Sequence, residues 1–155
     1  MKEKNMSIHF VCTGNIYRSR IAEAYLRSKK IPGLLVSSSG TQAFVQHRGS
    51  ITWYAQRLLF RHNLIPHMSN EGKETTNKQL LEADIVIFFC KSNYEYCRSR
   101  FHNPKKYEIW EVPDLDDADL NGKPLDIKRE AEIIKNSENI FIMIKKKVDD
   151  FKDLM

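Results

Sequence analysis

The sequence predicts an α/β fold with a layered sheet, and three observations carry that reading. Short apolar runs alternate with segments whose apolar residues recur every three or four positions, the pattern of strands joined by helices. One of those runs, Ile85-Val86-Ile87-Phe88-Phe89, is apolar without a break, as expected of a parallel strand covered on both faces. The first run, Ile8 to Cys12, ends abruptly in Thr13-Gly14-Asn15, a turn placed where α/β sheets bind ligands, beyond the carboxyl ends of their strands.

Taken in order, Ile8, Phe10 and Val11 give the first strand, and Ile21, Ala24, Tyr25 and Lys29 mark the helix after it, closed by Pro32-Gly33. Leu34, Leu35 and Val36 form a second strand that stops at Ser37-Ser38-Ser39-Gly40. Trp53, Leu58, Leu59 and Leu64 lie on one helical stripe; residues 70–78 read as a polar loop leading to a short helix through Leu80 and Leu81. After the 85–89 strand comes a fourth candidate over 107–112, then an acidic loop from Pro113 to Asp119. The segment 126–154 spaces Ile127, Ala131, Ile134, Phe141, Ile144, Val148 and Phe151 as one long amphipathic helix, with a possible interruption at Asn136 to Asn139.

At 155 residues the chain fits a single domain, 1–155, with a substantial core. A net charge of +5 is explained equally well by a phosphate-ester substrate or by solubility, and the Lys and Arg residues are spread among acids rather than gathered in a stripe, so nucleic acid is not an expected partner. The polar start and the brevity of the apolar run after it predict neither a signal peptide nor a membrane span, hence a cytoplasmic location. Three cysteines, at 12, 90 and 97, are an odd, sparse set that reads as free or catalytic thiols rather than a disulfide framework. No spacing of His, Cys or acids suggests a metal site, and no cofactor is expected.

The chemistry concentrates between Cys12 and Ser19. A loop wrapped ahead of a helix start turns backbone N–H groups inward and adds the positive end of the helix, which makes a site for a phosphate-sized anion. Gly14 suits a tight backbone and Asn15 tolerates positive φ. The same field favours a thiolate, so Cys12 is expected to be a nucleophile at neutral pH. Arg18 offers a planar fork for two phosphoryl oxygens, and Ser19 is placed to hydrogen-bond the sulfur as it leaves. Cleaving a phosphate ester also requires an acid for the departing oxygen. The loop 113–119 holds four aspartates, and the residues by themselves do not distinguish among them.

The stretch VCTGNIYRSRIAEAY, residues 11–25, resembles the signature of low-molecular-weight protein tyrosine phosphatases, C-x-G-N-x-x-R-S followed by A-E. Residues 36–41 look like that family's S-A-G-T segment, Asp84 to Asn93 like its D-I-I-x-M-x-x-S-N strand end, and Val112-Pro113-Asp114 like its acid loop. The resemblance implies a three-layer fold, a four-stranded parallel sheet flanked by helices. It implies hydrolysis of phosphotyrosine or another aryl phosphate monoester through a phosphocysteine. Cys12, Arg18 and Asp114 would be catalytic, with Thr13, Gly14, Asn15, Ile16, Tyr17 and Ser19 binding the phosphate and Ser38 holding Asn15. His67 would match a histidine that supports the loop through Ser19, unless it is a plain surface or packed residue.

Departures from the family pattern matter as well. Leu115 replaces the proline after the acid, and Asp116 stands where an aromatic wall is expected; Trp53 and Tyr54 are other candidates to border the cleft. Tyr17 replaces a second loop cysteine, and Arg20 a proline at the helix start. Related protein arginine phosphatases tend to carry Thr where Ile16 stands, so Ile16 favours an aryl phosphate. Cys90 and Cys97 are separated as in thioredoxin-coupled arsenate reductases, which makes a relay from Cys12 to Cys90 to Cys97 one alternative. A phosphotyrosine-binding module without turnover is the other.

Overall fold

The computed structural model describes residues 5–43, 51–115 and 127–155. Four strands, β1 (Met6–Cys12), β2 (Leu34–Gly40), β3 (Ile85–Phe88) and β4 (Tyr107–Ile109), form one sheet in the order β2-β1-β3-β4. All three pairings are parallel. Five α-helices are described: α1 (Arg18–Ser28), α2 (Trp53–Arg61), α3 (Asn77–Glu82), α4 (Lys91–Arg100) and α5 (Ile127–Asp153), with a 3₁₀ turn over Ile65–His67.

Alternation along the central strands divides the core into two layers, because successive side chains point to opposite faces. Ile8, Phe10 and Cys12 of β1 and Ile87 of β3, with the adjoining Phe89, join the larger cluster, which includes Leu26 of α1, Leu58 of α2 and Phe141, Ile144 and Val148 of α5. Val11, Val86 and Phe88 face the other way, into a smaller cluster with Leu80 of α3 and Cys97 of α4. Both faces are covered, which is why the 85–89 run needs no polar alternation. Among the described residues no helix is long and apolar enough to cross a membrane.

The structure differs from the expected elements at five places. β2 runs on through the serines to Gly40, in register with the whole of β1 up to Cys12. Those serines belong in a strand because their hydroxyls have partners there: the buried His9 ring bonds Ser37 Oγ and Ser39 Oγ, each at 2.7 Å, and Ser39 meets Thr75 Oγ1 at 2.7 Å. α3 begins inside the expected loop, at a capping box in which Thr76 Oγ1 accepts from Gln79 N and Gln79 Oε1 from Thr76 N. α5 is unbroken at 136–139, since Ser137 is buried there on a partner described below. α4 has no counterpart in the apolar pattern; its buried residues are only Asn93 and Cys97, too few for a periodic stripe. β4, finally, is shorter than its 107–112 candidate segment.

His9 gives the fold a pH dependence. Burial, aided by the Lys73 charge, lowers its pKa from 6.5 to about 3, so the folded ring is neutral, one nitrogen donating to a serine and the other accepting. The unfolded chain binds a proton near pH 6.5. Stability from this group is therefore complete above pH 6.5 and is lost as pH falls toward 3, by roughly 3 kcal/mol between pH 7 and pH 4. Urea denaturation of wild type and His9→Gln at both pH values measures it. The variant is expected to lose clearly less stability on acidification; equal losses would assign the effect to other groups.

Candidate active site

β1 delivers Cys12 to the end of the sheet, and α1 begins six residues later at Arg18. The first turn of α1 has no acidic residue and its N-cap, Tyr17, makes no side-chain cap bond, so its positive end is left to the loop. Between them the chain turns at Asn15, whose φ is 53°, a left-handed conformation that Asn adopts more readily than most residues.

What fixes the loop is the set of donors outside it. The carbonyl of Cys12 accepts from Thr41 N, that of Thr13 from Gln42 N, that of Ile16 from Thr52 N and that of Tyr17 from Ile21 N, at 2.8 to 3.0 Å. The carbonyl of Asn15 accepts from Arg20 Nη1 at 3.2 Å. Among the described residues no peptide is cis, and in a trans peptide the N–H points opposite to the C=O. Each carbonyl held outward thus turns the next residue's N–H toward the inside of the loop, where an anion fits.

Asn15 fixes the interior from its side chain. Its Oδ1 accepts from Lys73 N at 2.8 Å, which leaves Nδ2 to donate to Ser19 Oγ at 2.7 Å and Ser38 Oγ at 2.9 Å. Because Ser19 Oγ accepts that bond, its own proton is free to point at Cys12 Sγ, 2.8 Å away. Asn15 N adds a second donor to the sulfur at 3.3 Å. Two hydrogen bonds are thus aimed at the sulfur. Ser38 in turn donates to Glu23 Oε1 at 2.9 Å, which also accepts from Ser69 Oγ at 2.7 Å. Glu23 was visible in the sequence only as part of the A-E pair; as a buried carboxylate it closes the network, its other oxygen 3.1 Å from Arg27 Nη2.

Arg18 lies across the loop from this network. It is buried, donates Nη1 to the Val112 carbonyl at 2.8 Å, and places Nη2 3.3 Å from Asp114 Oδ2. Its buried Nε has no hydrogen-bond partner among the described residues, a donor that a bound anion would satisfy. Asp114, at 43% side-chain exposure, is open to solvent and to a substrate. Asp116, Asp117 and Asp119 lie outside the described residues.

The flanking positions resolve several expectations. Leu115 is buried in the main core, so the residue after the acid packs inward and offers no wall to a substrate. Trp53 is 55% exposed, with its ring edge-on to Tyr54, directly after the residue whose N–H holds Ile16; Tyr54 itself is buried, with its hydroxyl 3.2 Å from Glu130. Tyr17 points away from the cleft: its hydroxyl meets Ser137 Oγ of α5 at 2.7 Å, and burial pushes its pKa up. Ser19 accepts from Asn15 Nδ2 and donates to Cys12 Sγ, while His67 lies half-buried in the 3₁₀ turn. Thr13 is tied to α4 by Asn93 Nδ2 at 3.1 Å.

All three cysteines are free thiols. Cys90 is half-buried, its sulfur 3.1 Å from both Ser92 Oγ and Asn93 Oδ1. Cys97 lies in the smaller core cluster, where burial pushes its thiol up to about 12. A buried thiol of that kind supplies little thiolate at neutral pH, which disfavours the relay. Among the described residues no group of three or more His, Cys, Asp or Glu is placed to hold a metal.

A strand-to-helix loop with a buried Cys at its start, an Arg at its end and five backbone carbonyls pinned outward defines a cysteine-based oxyanion site on a parallel sheet. Residues 7–148 match the family model for low molecular weight phosphotyrosine protein phosphatases, and the chain belongs to that family. It is 50% identical over 81 residues to the low molecular weight protein-tyrosine-phosphatase Etp of Escherichia coli K12, an alignment covering 52% of each chain. Over 98 residues it is 33% identical to a protein-arginine-phosphatase of Bacillus subtilis, covering 62% of this chain and 63% of that one. The matched stretches thus span about half to two thirds of these relatives. A low molecular weight protein tyrosine phosphatase from T. tengcongensis shares the fold, with a TM-score of 0.75 over 97% of this chain and all of the other at 20% identity.

Proposed function

We propose that the protein hydrolyses aryl phosphate monoesters, phosphotyrosine in proteins foremost, through a phosphocysteine on Cys12. The observation that carries this reading is the convergence on one anion-sized loop of a hydrogen-bonded sulfur, an arginine with a free buried Nε, and an exposed carboxylate 3.3 Å from that arginine. The sulfur attacks phosphorus in line with the ester oxygen, the loop N–H groups and Arg18 hold the three phosphoryl oxygens, and Asp114 gives its proton to the departing phenoxide. Water, deprotonated by Asp114, then displaces the sulfur, and Ser19 stabilises the thiolate that leaves. Exposed Trp53 supplies an aromatic edge near Ile16 against which an aryl group packs.

The test is turnover of an aryl phosphate and of a phosphotyrosine peptide, with acid quenching to trap label on Cys12. Well-folded protein that turns over neither would sink the enzymatic reading and leave a binding module. A phosphoarginine peptide run in parallel separates the two substrate classes named among the relatives; preference for phosphoarginine would overturn the aryl assignment drawn from Ile16. Asp114→Asn is expected to slow hydrolysis by roughly 10²- to 10³-fold for a poor leaving group and much less for a good one, because the acid matters most where the departing oxygen is basic. A uniform effect across leaving groups would remove Asp114 from the role.

A further inference from the structure

Arg20 is the largest fully buried side chain among the described residues, an unusual place for a guanidinium. It lies in the first turn of α1, two residues past Arg18, behind the loop. Its Nη1 donates to the Asn15 carbonyl at 3.2 Å and its Nη2 to the Ser69 carbonyl at 2.6 Å. Burial lowers its pKa, an effect opposed by the charges of Glu23 first and Cys12 second. A buried cation of this cost needs a compensating task.

Its position supplies one. Of the five loop carbonyls held outward, four are held by backbone N–H groups from residues 21, 41, 42 and 52. The fifth, that of Asn15, is held by Arg20. Asn15 is also the one loop residue with positive φ, a conformation that costs an L-residue energy and so needs support from outside the backbone. We infer that Arg20 is a positioning residue for the phosphate cradle: by pinning the Asn15 carbonyl from behind, it turns the Ile16 N–H toward the bound phosphoryl group. Ser69 joins the two halves of the arrangement, since its carbonyl anchors Arg20 while its hydroxyl bonds Glu23, which reaches Asn15 through Ser38. The backbone and the side chain of Asn15 are thereby held from one buried ionic group.

The inference rests on the loop's being an anion cradle, as the phosphatase reading requires, and the experiment separates the two. Aryl phosphate turnover and inhibition by inorganic phosphate are measured on wild type, Arg20→Met and Arg20→Lys, with urea denaturation of each. In folded Arg20→Met, kcat/KM is expected to fall and the phosphate inhibition constant to rise, each roughly 10- to 100-fold. Arg20→Lys, which keeps the cation and a donor, is expected to recover most of both. A folded Arg20→Met with phosphate affinity and kcat/KM within twofold of wild type would overturn the role, whatever its stability. Should the single variant fail to fold, Arg20→Met/Glu23→Gln removes the buried charges together and is compared with Glu23→Gln alone; equal phosphate affinity in those two would overturn it as well. Wild type without turnover but with phosphate binding, read from the Ile16 amide resonance, would remove the hydrolase reading. The Arg20 effect on that resonance would still decide the inference.

Discussion

Replacing Cys12 by Ser is expected to reduce turnover to background, a loss of at least about 10⁶-fold, the lower end of enzymatic rate accelerations. The exchange swaps one atom in a cavity where Ser19 Oγ lies 2.8 Å and Asn15 N 3.3 Å from the sulfur, so the loop keeps its shape. A hydroxyl in that place ionises far less readily than a thiol and leaves phosphorus poorly, so the covalent route closes while binding persists. The discriminating measurement is the affinity for inorganic phosphate, expected to stay within a few-fold of wild type. Residual turnover above about one per cent would show that Cys12 is not the nucleophile.

Gly40→Ala, outside the loop itself, is expected to lower both stability and activity. Gly40 ends β2 opposite Cys12, and a Cβ there would lie 2.6 Å from both Asn15 N and Thr13 O and 2.8 Å from Gly14 C. These are backbone atoms on the stretch that Thr41 N and Gln42 N pull toward β2, so no side chain can swing aside. The loop must move by several tenths of an ångström, at a cost of about 1 to 3 kcal/mol. Misplacing oxyanion donors by up to 1 Å lowers kcat/KM by about 10²-fold. Both losses are read from one preparation by urea denaturation and steady-state kinetics. A Gly40→Ala protein with wild-type kcat/KM would mean that the cradle tolerates a displaced backbone.

The parts legible in the sequence are those whose geometry is encoded locally. Cys12 to Ser19 is contiguous, and its Gly14, Asn15 and helix start announce their backbone requirements one residue at a time. The 85–89 strand announces itself because burial on both faces demands an unbroken apolar run. What escaped depends on contacts made far along the chain. Arg20 stands in the sequence only as a replacement for proline at a helix start, and nothing within a few positions signals the buried guanidinium that Ser69 and the Asn15 carbonyl hold. The serines of β2 read as a turn because their strand character is justified by His9 and Thr75, which belong to other segments. α4 was hidden because its contribution to the core is one cysteine and one asparagine, the latter spent on Thr13 and Cys90. Asn136 to Asn139 reads as a break only while Ser137 lacks its partner.

That partner has a further consequence. Tyr17 sits within the loop and its hydroxyl is bonded to Ser137 in the middle of a 27-residue helix, so the loop cannot open without surrendering a buried hydrogen bond on the opposite wall of the core. Local and global unfolding are thereby coupled at this point. The amides of residues 16–18 should exchange with deuterium as slowly as those of the buried turns of α5. The loop would then share the cooperative unit of α5, and the cradle is expected to be ordered before a phosphate arrives.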